Sequence, residues 1–373
     1  MINIGIYGGE NSDTTPSHPK EAWMNTMLKK YYNKSKQGYL FEPALAKAIE
    51  HKYKDVKVTY YANDIKESQL EKNDVNFLVG INLLNFWEKG KAEYNRVMKL
   101  MDNPKYNVYP NLKDQFFLYN KGDYLEYFKK KGIPIAPTFI VREDRDIKKI
   151  ISRVKQEGWK SFVLKPYFAY ANIGIGKFDI DDKTMEKEVS KYLTKHKQFP
   201  AFVCQEVMNG FAKFWEVKSF WLNGKFKYYV AMKACEEVFS ESKIFESCPT
   251  KYGTVTPEIL KLVKQMGKKV LDAYPESYVN GKRTYPLFLR IDFGCCLGNT
   301  LDGKSYFLNE IEYAGCGVFT EDNTIFKHWP TAYYKKAKEL VKGNKTRVTK
   351  KTRRVRNKKS KKTRRGKNKN YIY

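Results

Sequence analysis

The sequence predicts an α/β protein with an α+β C-terminal lobe and a disordered basic tail, and three observations lead to this fold class. Strand-like and helix-like segments alternate through the first part of the chain, which is typical of a parallel sheet covered by helices. The dipeptide Asn223-Gly224 lies between two apolar runs and is a strong signal for an antiparallel hairpin. After Gly343 the composition turns basic and polar, so that segment cannot bury enough apolar surface to fold alone.

Composition indicates a globular protein of two or three domains. The chain has 373 residues, of which 42% are hydrophobic and 15% aromatic. The net charge is +29, but residues 342–370 carry 16 Lys or Arg and no acid, which leaves +13 for the remainder. The basic character therefore belongs largely to the tail, and it does not by itself make the whole chain a nucleic-acid-binding protein.

Cysteine usage and hydropathy indicate the cellular compartment of the protein. None of the six cysteines forms a CxxC pair, and four histidines are too few for a common zinc site, so we expect reduced, mostly buried thiols. No stretch approaches the roughly 18 apolar residues of a membrane span. We expect a soluble intracellular protein, cytoplasmic or nuclear and not secreted, with no transmembrane segment. The Lys-, Tyr- and Asn-rich composition resembles that of large-DNA-virus proteins.

The periodicity places elements in order along the chain. The first region, 1–112, reads as a small α/β domain with strands at 2–9, 56–61 and 75–81 and a helix from Pro43. Further helices are predicted near Tyr124, Ile147, Thr256 and Pro330. Further strands are predicted at 138–141, 162–166, 202–207, 214–222, 225–232, 287–293 and 306–312. We divide these into a central subdomain (113–200), a C-terminal lobe (201–341) and the tail (342–373).

Lys165 closes an apolar strand and precedes a loop, residues 167–177, that contains Gly174 and Gly176. A lysine in this position can meet phosphate oxygens, and the backbone N–H groups of such a loop can cover them. The alternative is a surface lysine whose stem packs on apolar neighbours. The loop is not a Walker A motif, because it lacks the earlier glycine and the following Ser or Thr.

Two further strands carry polar residues. Gln205-Glu206 ends one strand and could bind an adenine edge and a ribose, although solvated strand ends look the same. In Glu216-Val-Lys218, strand alternation puts both charges on one face. Lys218 could then contact phosphate, or the two could form a surface ion pair.

Arg290-Ile-Asp292 and Glu310-Ile-Glu312 place charges at i and i+2 in two apolar strands. If those faces converge, three carboxylates and one guanidinium share a site. Clustered carboxylates repel each other unless cations neutralise them, and Mg²⁺ prefers their oxygens. A strand at a solvated sheet edge would not be so apolar around its charged residues. The pattern therefore favours a buried strand whose charged residues form a metal site.

The order of these residues, from Lys121 to Glu312, resembles the ATP-grasp superfamily, which includes D-alanine–D-alanine ligase, glutathione synthetase and a ribosomal-protein glutamate ligase. The resemblance covers about residues 113–319 and implies a preceding α/β domain. It implies ATP and Mg²⁺ as cofactors, with two ions expected and Mn²⁺ able to replace them. The implied nucleotide-binding residues are Lys121, Lys165, Gly174, Gly176, Gln205, Glu206, Val207 and Glu216. The implied metal ligands are Asp292, Glu310 and Glu312.

The resemblance also implies catalytic roles for Lys218, Lys233 and Arg290. Lys218 stands where the family more often has Arg, and Glu312 stands where many members have Asn. The segment Gly315-Cys-Gly317 resembles the substrate-side loop but lacks a proline that is common there. Cys316 is placed to line the acceptor pocket, without a catalytic role.

The implied activity is ligation of a small-molecule or peptide carboxylate to an amine through an acyl phosphate. Two alternatives stay open: an ATP-binding protein without turnover, and a nucleic-acid-associated protein that uses the core as a nucleotide sensor. In the second, the tail at 342–370 would dock on nucleic acid by counterion release, without reading sequence. The tail could equally serve only for solubility.

Overall fold

In this computed structural model, the described residues are 1–9, 29–34, 38–142, 144–168, 174–208, 210, 214–233, 251–275, 277–279, 282–296, 306–314, 316–318 and 327–343. Residues 169–173 of the predicted phosphate loop and the basic tail beyond residue 343 lie outside them. The predicted nucleic-acid contact of the tail therefore stays a prediction.

The N-terminal part is built on a parallel sheet of four strands. Its elements are β1 (Ile2–Gly8), β2 (Tyr32–Asn33), β3 (Gly38–Tyr39), α1 (Phe41–Lys52), β4 (Val56–Ala62), α2 (Glu67–Leu70), β5 (Val75–Leu78), α3 (Leu83–Trp87), α4 (Lys91–Asp102), β6 (Val108–Tyr109), α5 (Leu112–Tyr119) and α6 (Lys121–Lys130). The strand order is β4-β1-β5-β6, and every neighbouring pair is parallel. β1 and β5 are buried along nearly their whole length, as expected of a parallel sheet that is covered on both faces.

The second sheet is antiparallel. Its elements are β7 (Thr138–Val141), α7 (Ile147–Gln156), β8 (Ser161–Pro166), β9 (Gly176–Asp179), α8 (Met185–Lys195) and β10 (Phe202–Glu206). The order is β7-β10-β8-β9, and the buried sides of α7 and α8 share one apolar core with these strands. Because β10 pairs with both β7 and β8, this sheet continues past the domain boundary predicted after residue 200. The other predicted domain boundaries stay predictions.

The third sheet is also antiparallel. Its elements, with the closing helix, are β11 (Glu216–Leu222), β12 (Lys225–Lys233), β13 (Lys251–Gly253), α9 (Pro257–Ala273), β14 (Ser277–Val279), β15 (Lys282–Thr284), β16 (Phe288–Cys295), β17 (Tyr306–Glu312) and α10 (327–343). The sheet order is β13-β12-β11-β16-β17. The predicted hairpin between β11 and β12 is confirmed: Asn223 and Gly224 have φ of 48° and 73°, as its tight turn requires.

α10 packs against the N-terminal part of the protein. Its Trp329 packs edge-on against Phe41 of α1, with ring centroids 5.1 Å apart, and its Tyr334 stacks on Tyr53 at 3.7 Å. One apolar core runs through the parallel sheet, the third sheet and α10. The predicted closing helix is thus confirmed, and it begins three residues before Pro330. No helix among the described residues is long and apolar enough to cross a membrane.

α9 lies close to the third sheet at Gly267. A Cβ atom at this position would lie 2.3 Å from Cζ2 of Trp221, which is on β11 and only 4% exposed. A glycine inside a helix normally costs about 1 kcal/mol relative to alanine. Here the absence of a side chain at Gly267 allows α9 to approach the ring of Trp221 closely.

We expect Gly267→Ala to lower the free energy of unfolding by about 1–3 kcal/mol, because overpacking against Trp221 outweighs the gain in helix propensity. Urea-induced unfolding measures this change. The matched control is Gln265→Ala, at an exposed position of the same helix, which should change stability by less than about 0.5 kcal/mol. Equal stability of the two variants would contradict the tight contact.

Candidate active site

The charged residues of the third sheet form a row across three strands. Lys218 of β11 lies directly opposite Asp292 of β16, and Asp292 lies opposite Glu310 of β17. In the next row, Arg290 lies opposite Glu312. Directly opposed residues share a face of the sheet, as do residues at i and i+2, so the structure brings together the charged pairs that the sequence predicts.

Asp292 is the centre of this cluster and is fully buried. Its Oδ2 accepts hydrogen bonds from Lys218 Nζ at 2.7 Å and from Arg290 Nη2 at 2.8 Å. Burial alone would raise the pKa of this carboxyl, but Arg290 and Lys218 hold it below its ordinary value. Asp292 is therefore an anion at neutral pH.

Glu216 lies two residues before Lys218 on β11, on the same face of the sheet. Its carboxylate lies 3.0 Å from Lys218 Nζ and accepts a hydrogen bond from Asn309 Nδ2 at 3.2 Å. Burial raises the pKa of Glu216, while the lysine opposes that effect. Each acid on this face thus has a basic partner, which lets so many charges share an apolar environment.

Glu310 and Glu312 meet basic partners from different directions. Lys121, the first residue of α6, donates a hydrogen bond to Glu310, and Arg290 forms an ion pair with Glu312. Despite burial, Lys121 holds the pKa of Glu310 below its ordinary value. For Glu312 burial prevails over Arg290 and raises the pKa to about 7.

Lys165 faces this cluster from the second sheet. Its Nζ donates to Gln205 Oε1 at 3.0 Å, and Gln205 Nε2 donates to Thr138 Oγ1 at 2.9 Å. Burial, with the nearby charge of Lys121, lowers the pKa of Lys165 to about 8. The charge of Lys165 also lowers the pKa of Glu310, so lysines from two elements act on one carboxylate.

The remaining nucleotide-side candidates lie at the ends of β8, β9 and β10. Backbone hydrogen bonds to Pro137 O at 2.9 Å and Ser161 O at 3.1 Å fix Glu206 and Val207 after Gln205. Gly174 has φ of 73°, and a Cβ there would lie 2.6 Å from Cγ of Pro166. Gly176 begins β9, opposite Leu164.

Lys233 is not brought into the cluster. The residues of β12 that pair with Glu216 and Lys218 are Met232 and Val230, so alternation turns Lys233 to the opposite face. Its Nζ lies 5.1 Å from the ring centroid of Trp215. The role implied for Lys233 by the resemblance stays a prediction that this arrangement does not support.

Cys316 lies on the other side of Arg290, as a wall of a cavity of about 20 Å³ that also contacts Glu42 and Tyr313. Its Sγ donates to Tyr313 O at 3.2 Å. The cavity has room for about one water molecule. This void is not an acceptor pocket, so the predicted position of Cys316 at that pocket stays a prediction.

Tyr119 is a residue that sequence reasoning did not single out. Its hydroxyl oxygen is buried without a hydrogen-bond partner among the described residues. Burial raises its pKa, and Cys316 and Glu312 are close enough to add to that rise. Nothing in the local pattern marks this tyrosine, because it is the last residue of α5 in a run of apolar residues.

The carboxylate oxygens of this cluster are the kind of ligand that a hard divalent cation prefers. Asp292 and Glu310 offer carboxylate oxygens from directly opposed positions, with Glu312 on the same face. Within the described ranges, however, no three acidic, His or Cys side chains are gathered as a ligand group, because each carboxylate is bound by a basic partner. The residue types fit Mg²⁺, and the ion would compete with these internal cations.

At the level of sequence, neither a protein-family model nor a curated protein matches the chain. Solved structures do match. A D-cycloserine synthetase, DcsG, has a TM-score of 0.61 at 10% identity, with 91% of this chain and 99% of that chain covered. A D-alanine–D-alanine ligase from Bacillus anthracis has a TM-score of 0.55 at 14% identity, with 94% and 100% covered.

An N5-carboxyaminoimidazole synthase from Aspergillus clavatus, solved with ADP and an aminoimidazole ribonucleotide, has a TM-score of 0.51 at 14% identity. That match covers 86% of this chain and 71% of the other. At identities this low, the matches show the fold alone, and it is the fold predicted from the sequence, the ATP-grasp fold.

Proposed function

We propose that the protein is an ATP- and Mg²⁺-dependent ligase that joins a carboxylate to an amine through an acyl phosphate. The observation that carries this proposal is the buried row Lys218–Asp292–Glu310 on the third sheet, faced by Lys165 on the second. Enzymes of this fold that have been solved with nucleotides support ATP as the phosphoryl donor.

The basic residues suit a triphosphate because they approach from separate elements. Lys121 comes from α6, Lys165 from β8, and Lys218 from β11. Fixed cations in a water-poor site stabilise developing negative charge much more than they would in water. Mg²⁺, held by Asp292, Glu310 and Glu312, would supply further neutralisation of the phosphates.

The proposed reaction has two steps. A carboxylate oxygen attacks the γ-phosphorus of ATP, and the bond to the β-phosphate oxygen breaks to release ADP. An amine nitrogen then attacks the acyl carbon, inorganic phosphate leaves, and the nitrogen loses a proton. The protein contributes positioning and charge neutralisation.

The test is ADP release by the full-length protein with Mg-ATP and pools of amino acids, small carboxylates and peptides. We expect release that depends on one pool, and loss of about 100-fold or more in Lys165→Ala. The control, Lys225→Ala, changes an exposed lysine of the β11–β12 hairpin and should leave the rate unchanged. Background ADP in every pool would contradict the proposal.

We expect the affinity for ATP to fall as pH rises through about 8, because the pKa of Lys165 lies there and only the charged form attracts phosphate. Below that pH the lysine is protonated and makes no further contribution to the pH dependence. Equilibrium binding of ATP across pH 6.5–9.5 measures this. Lys165→Arg stays charged throughout, so its affinity should lose the fall above pH 8. The same fall in both proteins would assign it to another group.

A further inference from the structure

A second cavity lies beside the proposed nucleotide site, between the N-terminal part and the second sheet. Its volume is about 590 Å³, within the range of about 300–1,000 Å³ that is typical of small-molecule sites. Its walls are mainly aromatic and come from separate parts of the chain: Trp87, Tyr94, Phe116, Tyr167, Phe168 and Phe199. Tyr167 and Phe168 begin the predicted phosphate loop, residues 167–177, and the other four residues belong to neither the candidate nucleotide set nor the candidate metal set.

The aromatic walls are arranged edge to face. The ring of Trp87 lies 5.2 Å from that of Tyr94 at an interplanar angle of 89°, and 6.1 Å from that of Phe168 at 74°. Trp87 is also 39% exposed, which is unusual for a ring that contacts two others. In such an arrangement, both ring faces and ring edges can contact a planar aromatic ligand.

The cavity also contains three polar side chains. Arg142 has its guanidinium carbon 5.8 Å from the ring centroid of Tyr167, and Asp144 supplies a carboxylate. Arg142 forms an ion pair with Asp123 at 3.8 Å, and Asp144 forms one with Lys149 at 2.5 Å. Both pairs are exposed, and exposed ion pairs contribute little free energy. Asn120 lies in the wall and makes no side-chain capping hydrogen bond with α6.

The cavity and the charged cluster share a wall. Lys121 N donates to Tyr167 O at 3.2 Å, so the backbone that supports the aromatic wall also holds the lysine that contacts Glu310. The ring of Tyr119 lies 6.1 Å from that of Phe168, and its hydroxyl, which has no hydrogen-bond partner among the described residues, is close enough to Glu312 for that carboxylate to raise its pKa. Tyr119 therefore connects the cavity to the acids.

We propose that this cavity binds an aromatic amino acid as one of the two substrates of the ligase. The ring packs against the exposed sides of Trp87 and Phe168, which line the cavity. The carboxylate and ammonium groups find opposite charges in Arg142 and Asp144, and an aliphatic substrate would leave the aromatic walls unfilled. This inference rests on the proposed function, because it assigns the substrate class of that reaction.

The experiment is calorimetric titration of the full-length protein with L-phenylalanine and L-tryptophan, and with L-alanine as the comparator. We expect binding of the aromatic amino acids and no detectable binding of L-alanine. Trp87→Ala and Phe168→Ala should each weaken binding by about tenfold, and Trp87→Phe should restore most of it. The control variant is Tyr252→Ala, which removes an aromatic ring that is 49% exposed on β13, outside the cavity.

ADP release with Mg-ATP separates this inference from the proposed function. If aromatic amino acids neither bind nor raise ADP release while another pool does, the ligase stands and the substrate inference is wrong. If they bind through Trp87 but every pool leaves ADP at background, the cavity is an aromatic amino acid site and the ligase proposal fails. Equal affinity for L-alanine and L-phenylalanine would also overturn the inference.

Discussion

Asp292→Ala is expected to lower the free energy of unfolding by about 3–5 kcal/mol, the usual cost of removing one partner from a buried ion pair. The carboxylate is fully buried and bonded to both Arg290 and Lys218, so its loss leaves two buried cations short of a partner. Urea-induced unfolding or the midpoint of thermal unfolding measures the effect.

The matched control is Asp272→Ala. Asp272 also pairs with a lysine, Lys268, but both side chains are about half exposed, so the change should cost less than about 1 kcal/mol. The same reasoning gives a pH dependence. Because the folded-state pKa of Asp292 is lowered, its contribution is complete above the ordinary aspartate pKa of about 4 and is lost as pH falls below it. Similar losses in the two variants would show that the cluster contributes no special stability.

The alternation of strands explains why so much of the site follows from sequence. Charges at i and i+2 in Arg290-Ile-Asp292 and Glu310-Ile-Glu312 must share a face once each segment is a strand. The apolar neighbours required both strands to be buried. What the pattern could not supply was the register, which places Asp292 opposite Glu310 and Arg290 opposite Glu312.

Three features of the structure differ from what the sequence predicts. The resemblance groups Lys233 with the site, whereas its strand register turns it away from Glu216 and Lys218. The sequence places β10 in the C-terminal lobe, whereas β10 pairs with β7 and β8, and partners this far along the chain leave no mark in a local pattern. α8 is not among the predicted helices, although Met185, Val189, Tyr192 and Leu193 have helical spacing.

The aromatic cavity and Tyr119 were invisible in sequence for a different reason. Trp87, Phe116 and Phe168 come from α3, α5 and the segment after β8, and only tertiary packing brings them together. In a chain with 15% aromatic residues, single rings carry no signal of their own. Tyr119 stands out only because its hydroxyl is buried beside Glu312 without a partner among the described residues.

Glu310→Gln separates a ligase from a protein that binds nucleotide without turnover. We expect a loss of ADP release of about 100-fold or more, because an amide is a poorer ligand for Mg²⁺ and does not neutralise Lys121. The Mg²⁺ dependence of ATP affinity should weaken in parallel. That second measurement does not require the substrates to be known.

Glu312→Asn is the matched comparison on the same strand. The resemblance implies that asparagine is common at this position, and Arg290 keeps Asp292 as a partner after the change. We therefore expect Glu312→Asn to retain ADP release within about tenfold and to keep its Mg²⁺ dependence, a smaller loss than that from removing a key transition-state contact. If both variants lose activity equally, the two carboxylates act as one unit. If Glu310→Gln keeps full activity and Mg²⁺ dependence, the row of charges is structural, and the proposed metal site on the third sheet is wrong.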